Sequence, residues 1–500
     1  MSELQTLWLP IALAALAVLV LLLDVMQPVR SAQPSGRNLG ALVAIGLLGL
    51  FAATFFIDGS GTAAFGAYEG GVWTGYLQRL FLATGILAAL GGIDDVAKRT
   101  PHRQGEYWLI LLFSLIGMVL LPGARDLVLI VVSFELMGLP LYILAAYSKT
   151  DPDAATAGEP RTRASEASLK LYLVGATSTA ITLLGLALLT GMAGTTRLAA
   201  LSAAPMTPLS AVGLVFVLGG IGYKIGMVPF HMWVPDTYQG ARLPFVAFLS
   251  VGPKAAGICV MATIFLFGLG SKSSTWMPPL AMISFLSMAV GNFLALPQRD
   301  LRRLLGYSGI AQMGYVLLGV VCNDGYGLGM VLFFMTAYVF TNLGAFLVLH
   351  VAAEAGGGYG FEGVSGLWRR SPALGVALAC FLLSLAGIPF MVGFWAKLFV
   401  FLAAWRAGHE GLVIAAIVLA VLGLFYYLRM LRAAYMTDEG DLPIPTIGVP
   451  MKLAIGICVA AVVGLGLWPQ PLVDASLAAG QELVGQAQHV ETPPAKLTQR

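Results

Sequence analysis

The sequence predicts an all-α membrane protein that crosses the bilayer about 14 times. Of its 500 residues, 58% are hydrophobic and only 11% are charged, which is not the composition of a soluble globular domain. Apolar runs of about 20 residues, the length that a helix needs to cross a bilayer, recur along most of the chain. Fourteen such runs lie near 5–24, 38–57, 76–94, 106–123, 126–147, 167–192, 209–234, 243–268, 275–296, 302–322, 325–352, 372–404, 410–434 and 450–469.

The two ends of the chain are predicted to differ. The first apolar run follows no basic segment and precedes no clear cleavage site, so we expect it to be retained as a span. The tail after residue 470 is polar enough to leave the membrane, and we expect it on the surface.

The placement of lysine and arginine predicts the orientation of the spans. If the N-terminus is periplasmic, the cytoplasmic loops carry 17 of these residues and the opposite loops carry 7. This bias predicts that both termini face the periplasm and that the number of spans is even. Arg99 and Arg242 are among the 17, whereas Asp95 lies at a span end, where we expect solvation.

Metal and redox centres are not expected in this chain. Its four cysteines, Cys259, Cys322, Cys380 and Cys458, are scattered singly, so iron–sulfur clusters, structural zinc and disulfides are not predicted. No two histidines share a helical face at i,i+4, which argues against haem and di-metal sites. The chain also contains no phosphate-binding loop and no dinucleotide fingerprint.

The fifth and sixth spans carry charges that the bilayer disfavours. Glu135 lies about ten residues into the fifth span, five residues before Pro140, where a kink is expected. A carboxylate there must be neutral, hydrated or paired with a cation. Glu166 and Lys170 are spaced i,i+4 at the start of the sixth span, which predicts an ion pair. Lys170 is alternatively a partner for Glu135 or a lysine that snorkels to the surface.

The seventh span holds the most unusual stretch, GGIGYKIGMVPFHMWVPDTYQG at 219–240. It places Lys224, Pro229 and His231 in an apolar segment, and each proline disfavours a continuous helix. Broken helices at membrane depth survive only where protein or water satisfies the freed backbone groups. We therefore expect Lys224 to line a polar path, the alternative being a lysine that snorkels from a helix end.

The same combination of lysine and helix breaker recurs in the eighth and twelfth spans. Pro253 precedes Lys254, and the span at 372–404 carries GIPFMVG at its middle, whose Pro389 lies eight residues before Lys397. Interrupted spans in corresponding places predict inverted repeats with sites at the membrane midplane. We expect an N-terminal region of three spans at 1–104, repeats at 105–268 and 269–436, and a last span with its tail at 437–500.

Other polar residues of the spans have weaker predictions. Tyr307 and Gln312 in the tenth span do not titrate near neutral pH, so we expect only hydrogen-bonding roles. Tyr338, Thr341 and Asn342 in the eleventh span can hold water, with packing as the alternative. A row of titratable groups, Glu135, Lys224, Lys254 and Lys397, suits proton transfer, because moving a charged partner changes whether a buried lysine holds its proton.

Several motifs resemble one family. They are SFELMGLPLY with EASLKLYLVGA, then GYKIGMVPFHMWVPDTYQGA, SVGPKAA, NFLALPQRDLRRLLGYSGIAQMGY and SLAGIPFMVGFWAK. Over roughly 105–435 the chain resembles the antiporter-like subunits of respiratory complex I, most closely the N type. The resemblance implies 14 helices with two inverted five-helix repeats, broken helices 7 and 12, and proton pumping. It implies that Glu135 and Lys224 are a coupled pair, Lys254 a central relay and Lys397 the lysine of the second half.

The resemblance also implies partners. NADH, FMN, iron–sulfur clusters and quinone would be bound by other subunits, and this chain would bind no cofactor while serving a proton-translocating NADH:quinone oxidoreductase. Its neighbours would be the antiporter-like M subunit and the small K, J and A subunits in the bacterial inner membrane, with no nucleic acid.

Two residues depart from the family pattern, and two other functions stay open. Many relatives have histidine where this chain has Gln312, and Arg242 replaces a residue that is commonly small and apolar. Arg242 is therefore expected to alter either the cytoplasmic mouth or a subunit contact. The alternatives to a proton pump are a subunit of a multi-subunit cation/proton antiporter and a structural subunit that does not pump.

Overall fold

A computed structural model describes residues 3–26, 37–100, 104–147, 161–437 and 442–491. The described chain is almost entirely α-helical, so the predicted all-α membrane fold is confirmed. The basic residues Arg30, Arg103, Lys149, Lys496 and Arg500, which contributed to the predicted orientation, lie outside the described residues.

The helices follow one another with short connections. The first seven are α1 (Glu3–Thr6), α2 (Trp8–Val25), α3 (Arg37–Ala53), α4 (Val72–Arg99), α5 (Gln104–Leu120), α6 (Leu127–Ala146) and α7 (Arg161–Ala193). The next seven are α8 (Leu198–Leu201), α9 (Pro208–Ile225), α10 (Trp233–Gly240), α11 (Leu243–Leu249), α12 (Gly252–Met261), α13 (Ser273–Ala295) and α14 (Leu301–Val321). The last seven are α15 (Gly325–Ala352), α16 (Leu367–Arg370), α17 (Pro372–Ala386), α18 (Val392–Arg406), α19 (Glu410–Met436), α20 (Val449–Leu467) and α21 (Gln470–Glu491).

Smaller elements join these helices. Strands β1 (Gly61–Ala63) and β2 (Tyr68–Gly70) pair antiparallel between α3 and α4. Single turns of 3-10 helix cover Ala64–Gly66, Leu121–Gly123, Gly270–Lys272 and Phe361–Val364, and π-helical segments extend α12 and α15 over Ala262–Gly268 and Ala353–Gly357.

Each of the predicted spans coincides with an apolar helix or a pair of helices. Among the described residues, 12 helices are long and apolar enough to cross a membrane, and Leu39–Ala53 and Pro372–Ala386 are shorter apolar helices. The total of 14 crossings, the inverted repeats and the four regional boundaries stay predictions.

The seventh and twelfth spans are broken in the same way. Helix α9 ends at Gly226 and α17 ends at Gly387, and both glycines have left-handed backbone angles, with φ of 77° and 87°. In each case the amide of the following residue bonds the carbonyl five positions back, from Met227 to Gly222 and from Ile388 to Leu383. This capping geometry satisfies carbonyls at the helix end and requires a residue that tolerates positive φ.

Burial is greatest at the centre of the bundle. Helices α11, α12, α14 and α15 are almost wholly buried, whereas only 28–33% of the apolar stretches of α2, α7, α13 and α19 is buried. A polar side chain on α12 or α15 is therefore surrounded by buried residues and has no direct access to the surface. The polar groups described below lie in this central layer or at its edge.

The last helix corrects the expectation for the tail. Helix α21 packs against α15 and α4, and its Ser476, Ala479 and Leu483 are buried. The Glu482 carboxylate accepts a hydrogen bond from the Trp73 amide at 2.5 Å. The helix that begins at Gln470 is thus docked on the bundle. Its apolar residues pack against α15 and α4, and the linear sequence does not reveal that these helices are its neighbours.

Candidate functional site

The first site joins Lys224 to Glu135. Lys224 lies in the last turn of α9 with only 6% of its side chain exposed, and its Nζ is 3.8 Å from Oε1 of Glu135 on α6. The ammonium also donates to the Tyr142 hydroxyl at 3.3 Å, and Thr179 on α7 donates to the same Glu135 oxygen at 2.8 Å. A buried ion pair is stable only when further hydrogen bonds satisfy its charges, and this one has them.

Aromatic rings and a glycine define the position of the ammonium. Lys224 Nζ lies 5.1 Å from the ring centre of Phe134 and 5.4 Å from that of Tyr142, within range of cation–π attraction. Gly138 faces the same nitrogen, and a Cβ added there would collide with it. Lys224 therefore points inward, and the alternative of a snorkelling lysine is wrong.

Glu135 lies at the edge of the bundle. Its side chain is 25% exposed, and it lines a cavity of ≈ 10 Å³ between α6, α7 and α9 together with Ser178, Thr179 and Lys224. This volume is enough for about one water molecule. Within this pair, Lys224 is therefore on the buried side, and the Glu135 carboxylate is on the side nearer the outer face of the helices.

Lys170 pairs with Glu166 and Asp236 and not with Glu135. Its Nζ is 2.8 Å from Glu166 and 3.0 Å from Asp236 on α10, and 44% of the side chain is exposed. The predicted pair with Glu166 is confirmed, but pairing with Glu135 is wrong. Burial by itself raises the pKa of Asp236, but hydrogen bonds from Arg303 and Lys170 outweigh it and hold that pKa below its usual value.

Lys254 occupies the centre of the molecule with no exposed surface. Its Nζ has no hydrogen-bond partner among the described residues and lies 5.7 Å from the ring centre of Tyr238. The hydroxyls of Tyr238 and Tyr338 and the Asn342 carbonyl oxygen are likewise buried without a partner among the described residues. Buried polar atoms in such a group require water, because leaving each unsatisfied is costly.

Glycine again makes room for the lysine. A Cβ on Gly309 of α14 would lie 2.9 Å from Lys254 Nζ and 2.9 Å from the Tyr338 hydroxyl. The two polar atoms thus converge on the same patch of α14 backbone. One turn further along α15 from Tyr338, Asn342 donates to the Ser250 hydroxyl at 2.8 Å, just before α12 begins.

In the second half, Lys397 is held by backbone carbonyls, and no carboxylate pairs with it among the described residues. Its Nζ donates to the carbonyls of Leu385 at 2.7 Å and Ala386 at 3.2 Å, which are the last residues of α17. The carbonyls of a final helical turn lack partners within the helix and carry the negative end of its dipole. Lys397 also lies 5.2 Å from the ring centre of Tyr315, and only 7% of the residue is exposed.

Gln312 is linked to Lys397 through one carbonyl. Its amide donates to Leu385 O at 3.0 Å and to the Tyr427 hydroxyl at 3.1 Å, so the predicted hydrogen-bonding role is confirmed. Tyr427 and Ser308 share a further bond of 2.5 Å. Tyr307 packs partly buried against the hydrophobic core.

His231 lies in the break between α9 and α10. It is buried, and its Nδ1 has no hydrogen-bond partner among the described residues. Its carbonyl accepts from the Val234 amide at 3.0 Å as α10 begins. The described contacts of His231 do not include Lys224 or Glu135, so its part in the site stays a prediction.

Some residues of these sites had no clear sequence signal. Tyr142 bonds Lys224 and Thr179 bonds Glu135 from other spans, and Tyr427 bonds Gln312. Tyrosine and threonine in an apolar helix are also common for packing, so the sequence does not single them out. Asp95 was expected to be solvated, but its side chain is 6% exposed and lies 3.3 Å from Arg242. Arg242 therefore makes a contact within the chain, which linear spacing does not predict.

Buried cations beside broken helices in an all-α membrane fold are typical of proteins that move ions across membranes. The family described as NADH:quinone oxidoreductase/Mrp antiporter, transmembrane, matches residues 124–423. The chain belongs to this family.

Similar proteins agree with the N type of subunit. The NADH-quinone oxidoreductase subunit N of Heliobacterium modesticaldum is 35% identical over 457 residues, covering 90% of this chain and 93% of that protein. The subunit N of Moorella thermoacetica is 34% identical and covers 95% of this chain and 98% of the relative. The predicted resemblance is thereby confirmed.

Solved structures share the fold. A chain of respiratory complex I from Thermus thermophilus with bound aureothin is 30% identical, with a TM-score of 0.78 over 93% of this chain and 98% of that chain. A chain of the Mrp complex from Dietzia sp. has a TM-score of 0.83 over 98% of this chain and 99% of that chain, at 21% identity. The second likeness concerns the fold alone.

Proposed function

We propose that this chain is a proton-translocating membrane-arm subunit of an NADH:quinone oxidoreductase. Protons pass through Glu135, Lys224, Lys254 and Lys397, and quinone reduction in other subunits drives them. The observation that carries the proposal is the pair of Lys224 and Glu135, held in the membrane layer at the end of a broken helix. A charge held there at such cost is a functional site by default.

The first step is the opening of this pair. In a low-dielectric interior, an opposite charge stabilises an ammonium, and separating the two charges favours release of the proton. A shift of α9 relative to α6 would separate the two charges. The helix is interrupted after Ile225, so α9 can shift without moving one continuous helix across the whole membrane. The proton released from Lys224 moves to Lys254 through water.

Two adjacent residues of α15, Thr341 and Asn342, connect the surroundings of Lys254 with those of Lys397. Asn342 bonds Ser250, four residues before Lys254, while the Thr341 hydroxyl lies 3.0 Å from the Ser384 hydroxyl near the end of α17. Ser384 also accepts from the Gly393 amide at 3.1 Å, across the second break. Water held by these groups carries the proton from Lys254 to Lys397.

The remaining parts of the proposal concern the surroundings of the chain. The redox groups, NADH, FMN, iron–sulfur clusters and quinone, belong to partner subunits, and the direct neighbours are the antiporter-like M subunit with the small K, J and A subunits. The chain resides in a bacterial inner membrane with both termini periplasmic. The names of the curated relatives, subunits of NADH-quinone oxidoreductase, support this assignment.

Single substitutions in membrane vesicles that contain the assembled complex test the proposal. We expect Lys224→Ala and Lys254→Ala to lower NADH-driven proton uptake by about 10²-fold or more, because each removes a group that takes up and releases the proton. NADH oxidation with a soluble artificial acceptor should not change. Lys452→Ala, at an exposed lysine of α20, is the matched control.

Two results would contradict the proposal. A structural subunit predicts normal proton uptake in both variants when the complex is assembled. An antiporter predicts that proton movement depends on sodium or another cation, so uptake is also measured with sodium replaced by choline.

A further inference from the structure

A second group of ionisable side chains lies at the far end of α15. This group, called the Asp95 cluster below, consists of Asp95, Arg99, Arg242, His350 and Glu354. Arg99 and Arg242 lie 2.9 Å and 3.3 Å from the oxygens of Asp95, and Arg99 also pairs with Glu354. The cluster joins α4, the start of α11 and the end of α15.

Histidine is the residue type in this cluster whose ordinary pKa allows its charge to change between about pH 5 and 8, so His350 is the member suited to passing protons. It is 8% exposed, and the charges that act on it are those of Asp95, Arg99, Arg242 and Glu354. They come from α4, from the residue before α11 and from the π-helical segment that follows α15. The route through Lys224, Lys254 and Lys397 makes no use of this histidine.

One face of α15 runs from His350 to Lys254. Tyr338, Asn342, Phe346 and His350 are spaced four residues apart, so they share a face of the helix. At one end of this face Tyr338 converges with Lys254 on Gly309, and at the other end stands His350. At 1.5 Å per residue, the 12 residues between Tyr338 and His350 span about 18 Å.

Helix α11 connects the same two places. It starts directly after Arg242 and ends directly before Ser250, and all seven of its residues are buried and apolar. Arg242 belongs to the Asp95 cluster, and Ser250 bonds Asn342 beside Lys254. The space between cluster and lysine is therefore apolar along α11, and water needs a polar atom to cross it.

Tyr238 supplies that atom. Its ring centre lies 5.6 Å from that of Phe346, one turn from His350, and 5.7 Å from Lys254 Nζ. Its hydroxyl is buried without a hydrogen-bond partner among the described residues. A buried hydroxyl in this state is satisfied by water, so this ring offers a water site between Phe346 and Lys254.

We propose that the Asp95 cluster is an aqueous entrance to Lys254, that His350 passes protons across it and that Tyr238 holds the bridging water. His350 takes a proton from water at the cluster and gives one to the Lys254 amine through bound water. Both groups return to their starting state when Lys254 passes its proton on. This inference rests on the proposed function, because it requires Lys254 to be a proton carrier.

The position of Tyr238 also connects this entrance to the first site. Tyr238 lies on α10, the short helix that follows the break after Lys224. Asp236 on the same helix bonds Arg303 at 2.6 Å and Lys170 at 3.0 Å, which ties α10 to α14 and α7. A movement at the break that shifts α10 therefore shifts the bridging water as well.

The test uses vesicles that contain the complete complex. His350→Gln keeps the size and hydrogen-bonding capacity of the side chain but cannot titrate. We expect it to lower NADH-driven proton uptake on the order of tenfold, less than a carrier lysine because water bypasses it. We also expect it to remove a limb of the pH profile, because glutamine cannot titrate, whereas a packing defect would leave that limb in place. His409→Gln, at a part-buried histidine before α19, is the matched control.

Tyr238→Phe provides an independent measurement, since it removes only the hydroxyl and preserves the packing against Phe346. We expect a decrease in uptake of several-fold, from the loss of one buried hydrogen-bonding group. If His350→Gln does not assemble, this variant decides the question. A decrease supports the entrance, and uptake equal to that of the unmodified chain overturns it.

Lys254→Ala is measured in parallel to separate the two proposals. If Lys254→Ala abolishes uptake while His350→Gln or Tyr238→Phe retains full uptake with an unchanged pH profile, the entrance is overturned and the proposed function stands. If Lys254→Ala itself retains full uptake, both are overturned.

Discussion

Lys224 and Lys397 lie beside helices that end in the same way, yet the two halves of the molecule stabilise their charges differently. In the first half a carboxylate of another helix, Glu135, lies 3.8 Å from the ammonium. In the second half Lys397 is held by two carbonyls of α17, at 2.7 Å and 3.2 Å. A full countercharge and the end of a helix dipole differ in strength, since the dipole is equivalent to about half a charge.

This difference assigns different tasks to the two lysines. A carboxylate on a separate helix can move away, so the proton affinity of Lys224 responds to the distance between α6 and α9. The carbonyls that hold Lys397 belong to α17, and the Gly393 amide of α18 donates to the Ser384 hydroxyl of α17 at 3.1 Å, which ties these two helices together. Under the proposed function, the first half would respond to a driving movement and the second half would be a fixed station for the proton.

The largest expected effect comes from removing the carboxylate. Glu135→Gln makes the first half resemble the second, and it leaves the Lys224 ammonium buried beside a neutral group. We expect proton uptake in vesicles to fall by about 10²-fold or more. Glu166→Gln, at the exposed partner of Lys170, is the control and should pump normally.

If the Glu135→Gln complex assembles and pumps at the normal rate, the comparison between the halves is wrong. Should this variant not assemble, Glu135→Asp is measured in its place, since it keeps the charge but lengthens the distance to Lys224. Normal pumping by Glu135→Asp would then show that the geometry of the pair does not matter.

A smaller effect is expected from Gly138→Ala. The added methyl group would collide with Lys224 Nζ and push it away from Glu135 without changing any charge. Overpacking of this kind costs about 1–3 kcal/mol, so we expect a decrease in uptake on the order of tenfold. Gly456→Ala on α20, where a Cβ meets no atom within 4 Å, is the matched control. Equal uptake by the two variants would contradict the close approach of Lys224 to α6.

The smallest effect is expected in the second half, at Gln312. Gln312→Ala removes donors to Leu385 O and to the Tyr427 hydroxyl, so a buried hydroxyl loses a partner. We expect uptake to decrease by several-fold, in line with about 1 kcal/mol for a lost buried hydrogen bond. Gln312→His should restore uptake and add a titration near neutral pH to its pH profile. A loss as large as that of Glu135→Gln would mean that the second half is the responsive one.

The sequence was sufficient for the parts that depend on neighbours along the chain. The apolar runs, the presence of breaks near Pro229 and within GIPFMVG, and the pair of Glu166 and Lys170 follow from local composition and spacing, although the exact end of α9 at Gly226 does not. The inward position of the lysines was also predictable in outline, because few other roles justify a charge at that depth. The function class followed from the same residues together with the resemblance of their motifs.

The partners of the ionisable groups were not predictable from spacing. The sequence offers Glu135 as a partner for Lys170, but the fold brings Lys170 to Asp236, 66 residues away. Asp95 was expected to be solvated, yet Arg242 reaches it across 147 residues. Tyr427 contacts Gln312 from a span 115 residues further along the chain. Each of these contacts depends on which helices pack together, and hydrophobic helices carry little information about that choice.

The sequence by itself therefore determined that buried charges lie at broken helices in a membrane protein, because apolar runs, prolines and lysines act locally. Only the tertiary structure decided that Lys224 faces a carboxylate, that Lys397 faces helix carbonyls and that His350 joins the Asp95 cluster. The physical reason is that the cost of a buried charge is set by the groups within a few ångströms of it, and those groups come from distant parts of the chain.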